Sequence, residues 1–151
     1  MINVKFKRLD KEAILPQKAT DGSAAYDLYV PKDTLVEQGR NIVPLDFAIN
    51  IPNGYEAQIR PRSGFSAKGI KGGNTFRERF NADVLLGTID ADYRGNIGVI
   101  IKNDDERFEI FKGTRIAQMV FNKIEDVRFE EVNELGQTER GNGGFGHTGS
   151  K

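Results

Sequence analysis

The sequence contains no cysteine, a single histidine and no surplus of either charge. Without cysteine, disulfides, thiolate chemistry and cysteine-ligated zinc are all excluded. The 22 basic and 22 acidic side chains cancel, so the protein lacks the positive field that holds polymeric DNA or RNA. The single histidine, His147, lies in the glycine-rich tail, and we expect neither a Ser-His-Asp triad nor a metal-histidine cluster to be assembled from it.

Long apolar runs are missing as well. The first eight residues alternate apolar and charged side chains, so they lack the apolar core of a signal peptide, and no later run is long enough to cross a bilayer. At 151 residues the chain has the size of one domain with a real core. We expect a soluble cytoplasmic protein, in the host cell cytoplasm if the source is viral, with no membrane partner.

Glycine and proline separate many short apolar runs, which is typical of an all-β protein with tight turns. The clearest run extends from Arg40 to Ile51 and predicts one strand whose alternating apolar residues share a face. Other strands are predicted at residues 2–7, 24–30, 55–60, 96–101, 107–111 and 115–121, with one more around 127–132. This spacing favours a β-sandwich, jelly roll or small barrel.

Two segments interrupt this pattern. Residues 65–68 could form one or two helical turns. Residues 71–83 are strongly charged and form either a surface insertion or an extra hairpin.

Two carboxylates lie two residues apart in the segment from Gly87 to Gly95. Asp90 and Asp92 would point to the same side of an extended chain, and Tyr93 follows them at once. This arrangement would place reactive groups at the tip of a hairpin. The alternative is an aspartate-rich turn whose carboxylates bond their own backbone.

Three further stretches hold polar groups that need partners. Asp27, Arg115 and Gln118 lie among apolar neighbours, where an unpaired polar group costs a few kcal/mol. Arg62-Ser63-Gly64 follows a predicted strand and forms either a structural turn or a guanidinium and hydroxyl pair for a phosphate chain.

The glycine-rich tail invites a phosphate-binding interpretation. Its backbone N–H groups can approach an anion, and Arg140 and Thr148 add side-chain donors. The spacing resembles a P-loop, but His147 replaces the lysine and no helix can follow. Two interpretations of the tail therefore remain. It is either a flexible arm that binds phosphate or an ordinary flexible terminus in which the lone His147 is exposed to solvent.

In their order along the chain, these five stretches resemble the five motifs of the trimeric deoxyuridine triphosphatase (dUTPase) family. They occupy residues 24–28, 61–64, 87–95, 113–118 and 140–149. The resemblance implies a homotrimer of all-β subunits with a distorted jelly-roll (β-clip) fold, whose active sites are shared between chains. Residues 136–151 are glycine-rich and polar, so we expect a core of residues 1–135 followed by a mobile arm of residues 136–151 that binds phosphate.

The resemblance also implies hydrolysis of dUTP to dUMP and pyrophosphate, which limits uracil in DNA and supplies dUMP for dTMP synthesis. Asp90 is the implied general base for water attack on the α-phosphorus. Mg²⁺ is the implied cofactor, held on the three phosphates and touched by Asp27 through water. Transfer at phosphorus needs positioning and charge neutralisation more than covalent help, which agrees with these roles.

The implied substrate-binding residues form three groups. The phosphates are held by Arg62, Ser63, Gly64 and Gln118. Uracil is read by backbone groups of the hairpin between Val84 and Gly98, including Gly87, Thr88 and Ile89, while Tyr93 stacks on deoxyribose and excludes ribose. The arm closes over the nucleotide with Arg140, Phe145, Gly146 and Thr148.

Four features depart from the family pattern. Ala25 replaces a usual glycine, Thr114 an aspartate and His147 a serine, and the segment 71–83 is longer than usual and could bind a protein partner.

Two other functions are alternatives to dUTP hydrolysis. A related dCTP deaminase is disfavoured because residues 87–98 contain no glutamate, and a regulatory module would use residues 77–79 to bind a protein while nucleotide orders the tail.

Overall fold

The computed structural model describes residues 1–75 and 77–149, which form thirteen β-strands and one short helix. The strands are β1 (Lys5–Arg8), β2 (Tyr26–Tyr29), β3 (Thr34–Val36), β4 (Gly39–Pro44), β5 (Phe47–Asn50), β6 (Tyr55–Arg60), β7 (Ile70–Lys71), β8 (Arg79–Phe80), β9 (Ala82–Val84), β10 (Gly87–Ile89), β11 (Gly98–Asn103), β12 (Phe108–Ile110) and β13 (Arg115–Lys123), and the helix α1 spans Ser63–Lys68. The predicted all-β class is confirmed. Within the described ranges no helix has the length and apolarity needed to span a membrane.

Two antiparallel sheets position the candidate sites. One has the strand order β10-β6-β13-β2 and the other the order β4-β11-β9, while β1-β5, β12-β3 and β7-β8 are two-stranded pairs. Alternate residues of each strand enter the core: Ala57 and Ile59 of β6 are buried, as are Val99 and Ile101 of β11. The buried faces join in a single hydrophobic cluster.

The run from Arg40 to Ile51 is not one strand. Its alternating apolar residues are all buried as predicted, but β4 pairs with β11 whereas β5 pairs with β1. The break lies at Asp46, whose φ of 62° is left-handed and whose backbone N–H donates to Asn96 Oδ1 at 2.9 Å. Aspartate tolerates this conformation better than most residues, so the apolar pattern continues while the chain changes sheet.

The segment 71–83 contains an extra hairpin, which is one of the two predicted alternatives. Strands β7 and β8 pair, and the Phe80 ring is buried and stacks on Phe108 with centroids 4.1 Å apart. The charged residues of the tip bind their own chain, since Arg77 pairs with Asp105 and Glu106. Deleting the segment would therefore open the core. Phe76 of this segment and residues 150–151 of the arm lie outside the described residues.

The predicted strand around residues 127–132 is also wrong. Strand β13 ends at Lys123, and from there to residue 149 the described chain has no strand. Val127 and Phe129 are 69% and 94% exposed. Because β6 and β2 already occupy both edges of β13, the segment meets no free strand edge there.

Candidate active site

Three of the five motif-like stretches converge at one end of the four-stranded sheet. Asp27 on β2 lies opposite Gln118 on β13, which in turn lies opposite Arg60 at the end of β6. These elements and the start of α1 surround a cleft of about 340 Å³, called the cationic cleft here. It is lined by Ala19, Ser23, Ala24, Ala25, Asp27, Arg60, Arg62, Ser63, Gly64, Gln118 and Val120.

The buried Asp27 carboxylate organises the charges of the cationic cleft. Its Oδ1 lies 3.3 Å from Arg62 Nε, and its Oδ2 lies 3.6 Å from Arg115 Nη1. The Arg62 Nη1 group also donates to the Arg115 backbone carbonyl at 3.3 Å. Two guanidinium groups thus face one carboxylate, which leaves a surplus of positive charge for an anion.

The other polar groups of these stretches also have partners within the chain. Gln118 Nε2 donates to the Pro61 carbonyl at 3.1 Å. Arg115 is half exposed rather than buried as expected, because a register shift between Arg115 and Ala117 interrupts the pairing with β2. Thr114, which replaces the usual aspartate, donates from Oγ1 to the Phe111 carbonyl at 2.6 Å, so Arg115 takes its carboxylate partner from Asp27.

The space beside Gly64 is open. A Cβ at this position would meet no atom within 4 Å. The exposed Ser63 lies next to it at the first position of α1. A ligand can therefore approach both residues from the cationic cleft.

A second pocket of about 270 Å³, called the hairpin pocket here, lies beside β10. Strands β9 and β11 form the base of the predicted hairpin, with Val84 opposite Ile101, and the arms then separate as β10 joins β6 of the other sheet. The pocket is lined by Ile42, Ile59, Gly87, Thr88, Ile89, Asp90, Tyr93, Asn96, Ile97, Gly98 and Ile100. Val84 lies at the base of the hairpin and is not among these residues.

Two features keep the hairpin pocket accessible. In the described part of the chain β10 is the last strand of its sheet, so its outer edge is not paired with another strand. A side chain at Gly98 would collide with Ile42, since its Cβ would lie 2.8 Å from Cγ2. The hairpin pocket thus combines a free strand edge with a glycine at which a side chain would displace Ile42.

The two carboxylates after β10 lie in a turn and not in an extended segment. Strand β10 ends at Ile89, and the Tyr93 N–H donates to the Asp90 carbonyl at 3.1 Å. The side-by-side arrangement expected from alternation is therefore wrong. Asp90 lines the hairpin pocket, whereas Asp92 is exposed beside it.

The Tyr93 ring is fixed next to this turn. Its hydroxyl donates to the Asn96 carbonyl at 3.0 Å. The ring covers Gly95, where a Cβ would lie 2.4 Å from the tyrosine hydroxyl. Glycine at position 95 is thus needed for this ring position.

The sequence model of the dUTPase family matches residues 11–149. The chain belongs to the dUTPase family. The deoxyuridine 5'-triphosphate nucleotidohydrolase of Syntrophotalea carbinolica is 45% identical over 153 residues, covering 98% of this chain and 97% of the relative. That of Solanum lycopersicum is 42% identical over 145 residues, covering 95% of this chain and 79% of the relative. The predicted family and enzyme class, a dUTP diphosphatase, are thereby confirmed.

The fold of this dUTPase is found in solved structures as well. A mutant dUTPase of Staphylococcus bacteriophage 80alpha with dUpNHpp matches with a TM-score of 0.84 at 28% identity, covering 99% of both chains. The fold class predicted from the strand pattern is confirmed by this likeness.

The fifth motif of this dUTPase does not reach either pocket of its own chain. Arg140 Nε donates to the Gly143 carbonyl at 2.8 Å within the arm, and the Phe145 side chain is fully exposed. Gly146 and Thr148 are exposed too. The His147 ring lies against Gly143, where a Cβ would be 2.4 Å from the imidazole.

Two polar residues that line the cationic cleft were not predicted. Arg60 faces the cleft from β6, and Ser23 faces it from the turn in which its Oγ accepts the Thr20 N–H at 3.1 Å. The alternation of β6 contains a signal for Arg60, since Ala57 and Ile59 point inward and Arg60 must point outward. No sequence pattern distinguishes Ser23 from other polar loop residues.

Proposed function

We propose that this protein hydrolyses dUTP to dUMP and pyrophosphate with Asp90 as the general base. The observation that carries the proposal is the hairpin pocket, where Asp90, Tyr93 and the free edge of β10 line one cavity. A free strand edge presents N–H and C=O groups, which pair with the N–H and carbonyl groups of uracil and mismatch cytosine. The reaction would limit uracil in DNA and supply dUMP for dTMP synthesis.

The Tyr93 ring selects the sugar in this proposal. Because its hydroxyl is bonded to the Asn96 carbonyl, the ring cannot turn away without losing that bond. A ribose 2′-hydroxyl would meet the ring face, whereas deoxyribose can stack on it. The expected result is preference for dUTP over UTP.

The phosphate chain binds in the cationic cleft. Arg62 supplies charge-assisted donors, Ser63 a hydroxyl, Gly64 an unobstructed backbone N–H and Gln118 its amide. Support comes from the surplus of guanidinium over carboxylate around Asp27 and from the open space beside Gly64.

The cleft fits Mg²⁺ that arrives on the substrate. The described residues contain no group of three or more potential ligands from His, Cys, Asp and Glu, so they offer no protein cage. Mg²⁺ is commonly bound through one or two carboxylates, substrate phosphates and water. Asp27 would hold it through water, and the ion would neutralise charge on the phosphates.

The position of Asp90 relative to Asp27 supports a site shared between subunits. In the sheet order β10-β6-β13-β2 the two residues belong to opposite edges, on the order of 14 Å apart across three strand spacings. Along the strands, Asp27 is level with Arg60, whereas Ile89 beside Asp90 is level with Ala57, which adds about 10 Å. One α-phosphorus and its metal cannot span this separation, so Asp90 of one copy acts with the cationic cleft of another.

A homotrimer provides such neighbours, and exposed apolar side chains support it. Ile42 and Leu86 are each 73% exposed near the hairpin pocket. In the trimer, Arg140 and Thr148 of the arm bind the γ-phosphate while Phe145 and Gly146 cover the base. Closure of the arm excludes water other than the nucleophile.

Pyrophosphate release from dUTP, dCTP, dTTP and UTP, measured side by side, tests the function. Rapid release from dUTP alone, lost with a chelator and restored by Mg²⁺, is the expected result. Release from dCTP at a similar rate would overturn the uracil-reading role of β10. Binding of dUTP without release in the presence of Mg²⁺ would overturn the hydrolase proposal.

A further inference from the structure

The Arg94 side chain folds back on the turn that carries Asp90. Its Nη1 group donates to the Ala91 carbonyl at 2.6 Å and to the Tyr93 carbonyl at 3.2 Å. Its Nη2 group donates to Asn50 Oδ1 at 3.0 Å. One guanidinium thus connects two carbonyls of the turn to the last residue of β5, which belongs to a different sheet.

The turn needs such a connection because it lies between sheets. Strand β10 ends at Ile89 and β11 begins at Gly98, and the two strands belong to separate sheets. A second attachment lies at Asn96, whose side chain accepts the Asp46 N–H at 2.9 Å and donates to Asp46 Oδ1 at 3.3 Å. Arg94 holds the half of the turn that contains Asp90 and Tyr93.

We propose that Arg94 and Asn50 are positioning residues that fix Asp90 and Tyr93 together. The inference rests on the proposed function, because it assigns the general base to Asp90 and sugar selection to Tyr93. The guanidinium suits this task, since its planar fork offers several donors at fixed angles. Lysine in its place keeps the charge but loses the fork.

Loss of the Arg94 hydrogen bonds should change both the rate of dUTP hydrolysis and the selectivity for dUTP over UTP. The Ala91 carbonyl lies just after the base, and the Tyr93 carbonyl belongs to the residue that meets the sugar. Loss of the hydrogen bonds to both carbonyls should misplace the Asp90 carboxylate and allow the Tyr93 ring to move. Small misplacements of a catalytic group can reduce a rate by about 100-fold.

The test compares Arg94→Lys and Asn50→Ala with the wild-type protein. The expected result is a fall in kcat for dUTP of roughly 10- to 100-fold, with a smaller change in KM. We also expect a lower ratio of kcat/KM for dUTP over UTP. Asn50→Asp keeps an acceptor oxygen for Arg94 and should recover most of the rate and the ratio.

Arg107→Lys is the matched control. Arg107 is an exposed arginine that donates to Glu37 Oε2 at 3.0 Å and lines neither pocket. This variant should keep the wild-type rate and selectivity, and thermal unfolding of all variants shows which of them are folded.

Three outcomes would overturn the inference. The first is wild-type kcat and selectivity in folded Arg94→Lys. The second is a lower unfolding temperature of Arg94→Lys with both kinetic quantities unchanged, which would leave a structural role alone. The third is a wild-type protein that does not release pyrophosphate from dUTP, which would remove the proposed function and this inference together. An active wild type with unaltered kinetics in the variants refutes the inference alone. An inactive wild type refutes the proposed function as well.

Discussion

The Asp27 carboxylate on β2 pairs with the Arg62 guanidinium, which follows β6, although β13 lies between these strands in the sheet. Arg115 at the start of β13 contacts the other oxygen of the same carboxylate. One buried side chain therefore connects three stretches that are far apart in sequence. The cationic cleft is held in shape within a single chain by this contact.

Asp27→Asn should weaken both folding and phosphate binding. The substitution keeps the shape but removes the negative charge between two guanidinium groups, so we expect a loss of about 1–3 kcal/mol in the free energy of unfolding. KM for dUTP should rise more than kcat falls, since Asp27 shapes the cleft and does not attack the phosphorus. Urea unfolding and steady-state kinetics measure the two effects, and an unchanged KM would contradict this role.

Asp90→Asn should abolish most turnover while leaving binding nearly intact. The amide keeps the size of the side chain but cannot accept a proton, so kcat should fall by about 100- to 10,000-fold. Asp92→Asn is the matched control, because Asp92 is in the same turn but does not line the hairpin pocket. Nucleotide titration and pyrophosphate release distinguish the two carboxylates, and equal losses in both variants would refute the assignment.

Truncation after Gln137 should reduce the rate more than the stability. Residues 138–142 are exposed, and the hydrogen bonds of Arg140 and Gly141 stay within the arm. The unfolding temperature should stay close to that of the full chain while kcat falls. A truncated protein that does not fold would contradict this expectation.

Mixing truncated chains with Asp90→Asn chains then tests whether the active site is shared. Each variant lacks a different part, so trimers containing both should regain activity at those sites that receive Asp90 from one chain and the arm from another. The control mixes each variant with itself under the same unfolding and refolding conditions. No recovery in mixed trimers would show that Asp90 and the arm act from the same chain.

The Glu106 carboxylate should make stability depend on pH in the acid range. Hydrogen bonds from Arg77 and then Asn74 lower the pKa of Glu106 to about 2 from 4.5. Because the folded-state pKa is depressed, the stabilisation is complete above about pH 4.5 and is lost as the pH falls towards 2. The difference in unfolding temperature between wild type and Glu106→Gln should therefore shrink over that window.

The ion pair between Arg77 and Glu106 is exposed to solvent. Added salt should therefore reduce the difference in unfolding temperature between wild type and Glu106→Gln at neutral pH. Glu78→Gln, at the tip of the same hairpin, is the control and should behave like wild type across the window. A constant difference between wild type and Glu106→Gln down to pH 2 would contradict the assigned pairing.

Local sequence patterns predicted several of the secondary-structure elements correctly. The strands predicted at residues 55–60 and 96–101 match β6 and β11 to within two residues, and so does the short helix after Arg62. The pattern failed at Asp46, because alternation reports which side chains are buried and not which sheet covers them. It also failed for residues 127–132, since apolar alternation alone does not supply a partner strand.

The sequence by itself determined the family, the all-β class and the identity of the chemical groups, because five ordered motifs and the glycine and proline spacing are local features. Tertiary structure alone decided which groups meet. Pairing across β13 brings Asp27 to Arg62, and the change of sheet at Asp46 supplies Asn50 to Arg94. The strand order β10-β6-β13-β2 places Asp90 and Asp27 at opposite edges of the sheet. Such distances depend on strand order and register, which long-range packing sets and no single stretch of sequence encodes.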